Sequence, residues 1–235
     1  MAAPAPSDIK NLPEPDMDLD ALRNELMNLV KNKHRFYWAI KRTFDILFSA
    51  GVLLVFSPLY LLLALIIFLD DPHGSPIYTQ TRIGRKGRTF KFYKFRSMVV
   101  NADQLKASLQ AQNEKEGPAF KIKDDPRITR VGHFIRRTSI DELPQFWNVL
   151  KGDMTIVGPR PALPEEVAQY NRYHQLRQLI TPGLTCYWQI QPNRDDISFD
   201  DWVALDIQYI RDRNFFLDLK LILLTVKAMF GSQGH

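Results

Sequence analysis

One stretch limits this chain more than any other: residues 46–69 run for 24 positions without a charged side chain. A helix of that length rises ~36 Å, enough to cross a hydrocarbon core of ~30 Å. Length alone therefore describes a spanning helix. Two features argue otherwise. Pro58 lies near the midpoint, where a proline removes a hydrogen bond and clashes with the preceding turn, and Ser57 beside it can satisfy the carbonyl so freed. Both flanks are also basic: five Lys or Arg lie between residues 31 and 42 and seven between 82 and 96, with no acid in either stretch. Positive charge marks the cytoplasmic side of a membrane, and a spanning helix has one such flank rather than two. A hairpin that enters and leaves by one leaflet meets both facts. From the residues alone, the spanning and the re-entrant readings both stand.

The 235 residues suffice for one domain with appendages. A formal charge of +5 and a pI near 9.3 point to anionic partners: nucleic acid, phosphate ligands or a membrane surface. A single cysteine, Cys186, excludes an intrachain disulfide and fits a reducing compartment. The five histidines lie far apart, without zinc-ligand spacing. The apolar run starts too deep, and lacks the small-residue cleavage site, for a secretory signal.

Along the chain, residues 1–18 read as a flexible tail rich in Ala, Pro and Asp. Leu19, Leu22, Leu26, Leu29 and Val30 then share one face of a helix. Residues 76–83 and 89–96 read as two strands around Gly84-Arg85-Lys86-Gly87. Helices are expected over 101–116, 141–150 and 164–180, the last ended by Pro182-Gly183. Residues 202–213 and 217–230 are amphipathic, and the second is too short to span a membrane; it either lies in the interface plane, the reading favoured here, or packs as a buried helix. The expected fold is α+β and mostly helical. It comprises a lead over 1–40, a membrane segment over 41–70 and a domain over 71–235 that contains the small β-hairpin.

Four clusters carry chemistry. Lys91 to Met98 interleaves Lys94 and Arg96 with aromatics, which describes either a strand with a solvated cationic face or a phosphate site beyond the membrane segment. Arg127, Arg130, Arg136 and Arg137 fall within eleven residues, and the planar guanidinium suits bidentate contact with phosphate. Asp141-Glu142 stands just before Pro144, so these acids lie near a helix start, where acids ordinarily complement the helix dipole. Two adjacent carboxylates behind an arginine cluster also supply a metal ligand and a nucleophile. In Gly158-Pro159-Arg160-Pro161, flanking prolines hold Arg160 in one direction, unless the segment is a plain surface turn.

Taken in order, these segments resemble the monotopic phosphoglycosyl transferases, bacterial sugar transferases that act on polyprenyl phosphate. The resemblance runs from Lys41 to Phe230 through Lys41-Arg42-Thr43-Phe44-Asp45, Ser57-Pro58, Tyr93 to Met98, Asp125 to Thr129, Ile140 to Gln145, Gly158 to Pro161, Pro182 to Thr185, and Asp206 with Tyr209. It implies transfer of a sugar 1-phosphate from a UDP-sugar to polyprenyl (undecaprenyl) phosphate with release of UMP, as the first membrane step of polysaccharide synthesis. Asp141 is then the nucleophile of a covalent phosphosugar intermediate, and Glu142 holds Mg²⁺. Arg136 and Arg160 act as phosphate clamps, with Lys94, Arg96 and Arg127 in the same substrate site. Ser57-Pro58 is the break of a re-entrant helix, which places the enzyme on the cytoplasmic face of the bacterial inner membrane. The chain looks like a minimal catalytic form beside larger relatives that carry spanning helices ahead of this region. Implied partners are the lipid phosphate, the UDP-sugar and the membrane, without nucleic acid; self-association is left open.

Two other readings compete with this one. Gly84 to Gly87 resembles the loop of an RNA-binding KH module, but that loop joins two helices and strand-like segments flank this one. A non-catalytic membrane adaptor, with Asp141 merely capping a helix, is the other. Donor choice is not legible; Trp188, Gln189 and Arg194 mark the first stretch to inspect.

Overall fold

The computed structural model describes residues 18–33, 35–109, 111, 113, 122, 124–191 and 197–230. Residues 1–17 of the expected tail, the Gly117-Pro118 pair expected to stop the helix over 101–116, and Arg194 lie outside them. The chain is mostly helical with two small sheets, as an α+β reading requires. Helix α1 (Leu19–Asn32) begins where the Asp18 carboxylate caps the amides of Asp20 and Ala21 at 3.0 Å. It buries Leu22 and Leu26 on the main core.

The apolar stretch is two helices, α2 (Arg35–Val55) and α3 (Ser57–Asp70), bent by 60° at Phe56. Pro58 cannot donate to the Leu54 carbonyl, and the Ser57 hydroxyl donates to it instead at 2.8 Å. The break is therefore satisfied locally. Among the described residues no single helix is long and apolar enough to cross a membrane, whereas this bent pair passes that test jointly. Leu54, Leu61 and Leu69 are 70–76% exposed. Opposite them, Leu63 and Ile67 pack with Phe95 and Ile135 in a second, smaller core.

Strands β1 (Ile77–Ile83) and β2 (Thr89–Phe95) pair antiparallel, with Tyr78 opposite Lys94 and Arg82 opposite Phe90. Residues 84–87 close this hairpin with Lys86 and Gly87 at positive φ, so the loop does not join helices. Three expected helices are shorter. Only α4 (Ala102–Lys106) forms in the polar stretch up to residue 109. The helix expected over 141–150 splits into a 3₁₀ turn (Ile140–Glu142) and α6 (Gln145–Lys151), because Pro144 has no N–H to continue the ladder. The helix expected over 164–180 splits into α7 (Pro164–Val167) and a 3₁₀ turn (His174–Leu179). There the Asn171 side chain accepts from the His174 amide at 2.9 Å, competing with a continuous helix.

A parallel pair, β3 (Thr155–Val157) and β4 (Gly183–Thr185), was not expected. It is legible only in three dimensions: a Cβ on Gly183 would meet the Gly158 amide nitrogen at 2.1 Å, so glycine permits the approach. Helix α8 (Phe199–Asp212) buries Trp202, Val203, Leu205, Ile207, Tyr209 and Ile210 and leaves Asp200 and Asp212 exposed, as an amphipathic helix requires. It forms the centre of the main core, where each such apolar side chain contributes roughly 1.5–3 kcal/mol. Helix α9 (Phe215–Phe230) packs Leu221 inward and leaves Phe216 and Leu223 outward. Helix α5 (Arg130–Arg137), capped by Thr129 at the Gly132 amide, runs into the Asp141 turn.

Candidate active site

Local rules place the two acids. At the end of α5 Ser139 adopts φ 55°, the left-handed conformation that lets the chain leave a helix, and the Ile140–Glu142 turn follows directly. Ile140 and Leu143 anchor that turn in the small core. Asp141 is left 6% exposed at the edge of a cavity of about 440 Å³, and the Glu142 side chain is partly open.

The hairpin brings Lys94 to them. Asn148 on α6 accepts from the Tyr93 amide at 3.1 Å and donates to the Lys91 carbonyl at 2.6 Å, which fixes β2 beside α6. Lys94 Nζ then lies 2.7 Å from Glu142 Oε1 and 3.5 Å from Asp141 Oδ2. Burial pushes the Asp141 carboxyl above its ordinary range, and the Lys94 ammonium only partly offsets that. Burial acts on Glu142 too, but the closer ammonium wins and holds it below its ordinary range. Lys94 itself is raised: burial opposes its charge, and the two carboxylates outweigh burial.

The cavity is strongly cationic. Arg82, Lys94, Arg96, Arg127, Arg136 and Arg160 line it, against Asp103, Asp141 and Glu166. Arg160 meets Glu166 at 3.3 Å and stacks over the Trp202 ring, its guanidinium carbon 5.4 Å from the centroid. Arg136 is exposed, and among the described residues no acid pairs with it. Arg82 donates to the Pro161 carbonyl at 3.0 Å and lies over Phe92, with its Nε buried and unpartnered. Burial, then the neighbouring Arg160, push the Arg82 guanidinium down to about 10. An incoming anion relieves that repulsion.

Arg96 and Arg127 also line the cavity and bond outside it as well. Arg96 donates to the carbonyls of Ile67 and Asp71 at the end of α3, and Arg127 forms a buried pair with Asp125 at 2.6 Å. Trp188 and Gln189 lie away from it: Trp188 packs on Trp202, and Gln189 accepts from the Cys186 amide. Arg82, Asn148 and Glu166 escaped the sequence reading. Arg82 sat unremarked in the basic flank, on the strand face shared with Lys94; a buried asparagine in a short helix carries no local signal.

Among the described residues no group of three or more His, Cys, Asp or Glu side chains could cage a metal. Asp141 and Glu142 do match the donor set magnesium uses when it shares its shell with substrate phosphates, one or two carboxylates with phosphate and water completing it. Ser57-Pro58 lies outside the cavity but is tied to it. Tyr60, one turn on, donates its hydroxyl to the Leu143 carbonyl, and Arg96 fastens the far end of α3.

A family model described as bacterial sugar transferase matches residues 36–232. The chain is 50% identical to the galactosyl transferase CpsE of Streptococcus agalactiae over 161 residues, 68% of this chain and 36% of that protein. It is 39% identical to the UDP-glucose:undecaprenyl-phosphate glucose-1-phosphate transferase of Escherichia coli over 202 residues, 83% of this chain and 41% of that one. It is 38% identical to the exopolysaccharide production protein ExoY of Rhizobium meliloti over 198 residues, 83% and 87% of the two chains. The chain thus spans less than half the length of the first two relatives and most of the third.

Proposed function

We propose, taking as premise that this chain belongs to the bacterial sugar transferase family, that it transfers a sugar 1-phosphate from a UDP-sugar to polyprenyl phosphate through a phosphosugar carried on Asp141. The observation that carries the reading is the buried Asp141 carboxylate, joined through Lys94 to Glu142, at the wall of a cationic cavity. The donor and acceptor classes come from the names of the relatives.

An Asp141 carboxylate oxygen attacks the phosphorus that bears the sugar, and the bond from that phosphorus to the UMP oxygen breaks. UMP leaves with the electron pair, and Asp141 holds the phosphosugar as an acyl phosphate. An oxygen of the lipid phosphate then attacks the same phosphorus and the Asp141 carboxylate leaves, giving the polyprenyl diphosphate sugar. Arg136, Arg160 and Arg82 bind the phosphate oxygens and balance charge that spreads over them in the transition state. Lys94 offsets part of the rise that burial imposes on the Asp141 carboxyl and so favours its ionised form. Magnesium, when held by Glu142 and shared with the diphosphate, supplies further neutralisation of phosphate charge.

The bent α2–α3 pair serves as a one-leaflet anchor on the cytoplasmic face. Its outward side chains are apolar and its inner face is bound to the Asp141 turn, which sets the carboxylate at headgroup depth. The product enters polysaccharide synthesis. Incubation of the protein with a panel of UDP-sugars, Mg²⁺ and undecaprenyl phosphate should release UMP for at least one donor. Asp141→Asn should lower that release by about a thousandfold or more, the scale on which loss of a covalent nucleophile registers. Full turnover by this variant would remove Asp141 from the role.

A further inference from the structure

One acid in the wall of the Asp141 cavity takes no part in binding phosphate. Among the described residues three carboxylates line that cavity. Asp141 carries the chemistry. Glu166 is buried and spent on Arg160 and on the Leu163 amide, which it accepts at 2.8 Å. Asp103, in the first turn of α4, is exposed to the cavity. It accepts from the Tyr78 hydroxyl, 3.1 Å from Oδ2 and 3.3 Å from Oδ1. Val99, Val100 and Ala102, just ahead of it in the chain, line the cavity too and bring no charge.

The hairpin sets this pair beside the phosphate-binding wall. Tyr78 and Lys94 stand directly opposite each other in the β1–β2 register and so share a face, ~5 Å apart at Cβ. From there Lys94 reaches Glu142 and Asp141, and Tyr78 reaches Asp103. Burial, then the Asp103 charge, push the Tyr78 hydroxyl up to about 12, so it keeps its proton and remains a donor at neutral pH. A carboxylate offers about four lone-pair sites, and one hydroxyl proton fills at most two of them. The rest are open to donors in the cavity.

A phosphate oxygen brings no proton to such a group and is repelled by its charge. The donors that a UDP-sugar offers are its hydroxyls and a single base N–H, and only the hydroxyls come in adjacent pairs that match two carboxylate oxygens. We infer that Asp103, held by Tyr78, is a specificity-determining residue that accepts hydrogen bonds from a vicinal diol of the donor while the cations take its diphosphate. This rests on the donor class proposed for the Asp141 site. The diol belongs to the ribose or to the transferred sugar.

Calorimetric titration of the full chain in neutral detergent with Mg²⁺ separates the two, on an Asp141→Asn background that keeps sugar nucleotides intact. The ligands are pyrophosphate, UMP, its 2′-deoxy and 3′-deoxy forms, UDP-glucose and UDP-galactose. Asp103→Leu should bind pyrophosphate at least as tightly as its parent, because a negative charge has gone. It should bind the diol ligand about tenfold to a hundredfold more weakly, the scale of a hydrogen bond to a charged group. A loss with UMP assigns the ribose, and the deoxy form lacking the contacted hydroxyl should then be weak in the parent and lose little more. A loss with a UDP-sugar but not with UMP assigns the transferred sugar. Tyr78→Phe, which keeps the ring but releases the carboxylate, should lose about threefold to tenfold on the same ligand. Nucleotide affinities within twofold of the parent in both variants overturn the diol site. So does a loss that UMP and both deoxy forms share equally, which puts the contact on the base. A parent that binds none of the nucleotides overturns the UDP-sugar reading itself, and this one with it.

Discussion

Asp141 and Glu142 are neighbours in the chain, yet one ammonium group treats them differently. At 2.7 Å it overcomes the burial of Glu142; at 3.5 Å it does not overcome that of Asp141. A nucleophile must be ionised, so the rate should fall as the pH drops through the raised pKa of Asp141. Removing Lys94 removes the largest influence holding that pKa down. Lys94→Met should therefore move the acid limb of the kcat/KM profile for UMP release to higher pH, besides lowering its plateau. An acid limb that stays in place would show that Lys94 does not govern the ionisation of Asp141. Both acids were legible in the sequence by their company, as was Lys94. Their unequal ionisation was not, because it depends on about an ångström of distance across the hairpin. Arg96 and Arg127 line the same cavity, and their guanidinium groups also hold α3 and Asp125, a second task that no local pattern announces.

Among the elements, the bent pair was the most legible, since proline and serine act locally and the outcome follows from one freed carbonyl. The helices expected over 141–150 and 164–180 were less so. Pro144 and Asn171 ended them early, through a missing donor and a side-chain competitor whose strength depends on neighbouring turns. The bend makes its own prediction. Cysteines introduced as Arg35→Cys and Ser75→Cys in membrane vesicles should both be modified by an impermeant thiol reagent from one side only, since native Cys186 is buried. Adding Pro58→Ala restores the Leu54 hydrogen bond and favours a straight helix, so residue 75 should become accessible from the opposite side in part of the population. Opposite-side labelling with Pro58 intact would refute the one-leaflet anchor.

At the scale of the whole molecule, two cores meet at the chemistry. The larger surrounds α8, whose inward Asp206 pairs with Arg177 at 2.6 Å. Arg177 and Arg160 lie on the same Trp202 ring, each 5.4 Å from its centroid, so the main core sets the direction of the Arg160 guanidinium. The smaller core holds the underside of the Asp141 turn against α3. Such long-range juxtapositions, like the β3–β4 pair, leave no local trace in the chain. The central claim they support is that Asp141 carries the phosphosugar between the two substrates. It is tested most directly with a UDP-sugar labelled at the β-phosphate and no lipid acceptor present. One equivalent of UMP should appear in a burst, with label held on the peptide containing Asp141 and discharged when polyprenyl phosphate is added. Release of UMP only when the lipid is present, with no label ever retained by the protein, would contradict the account.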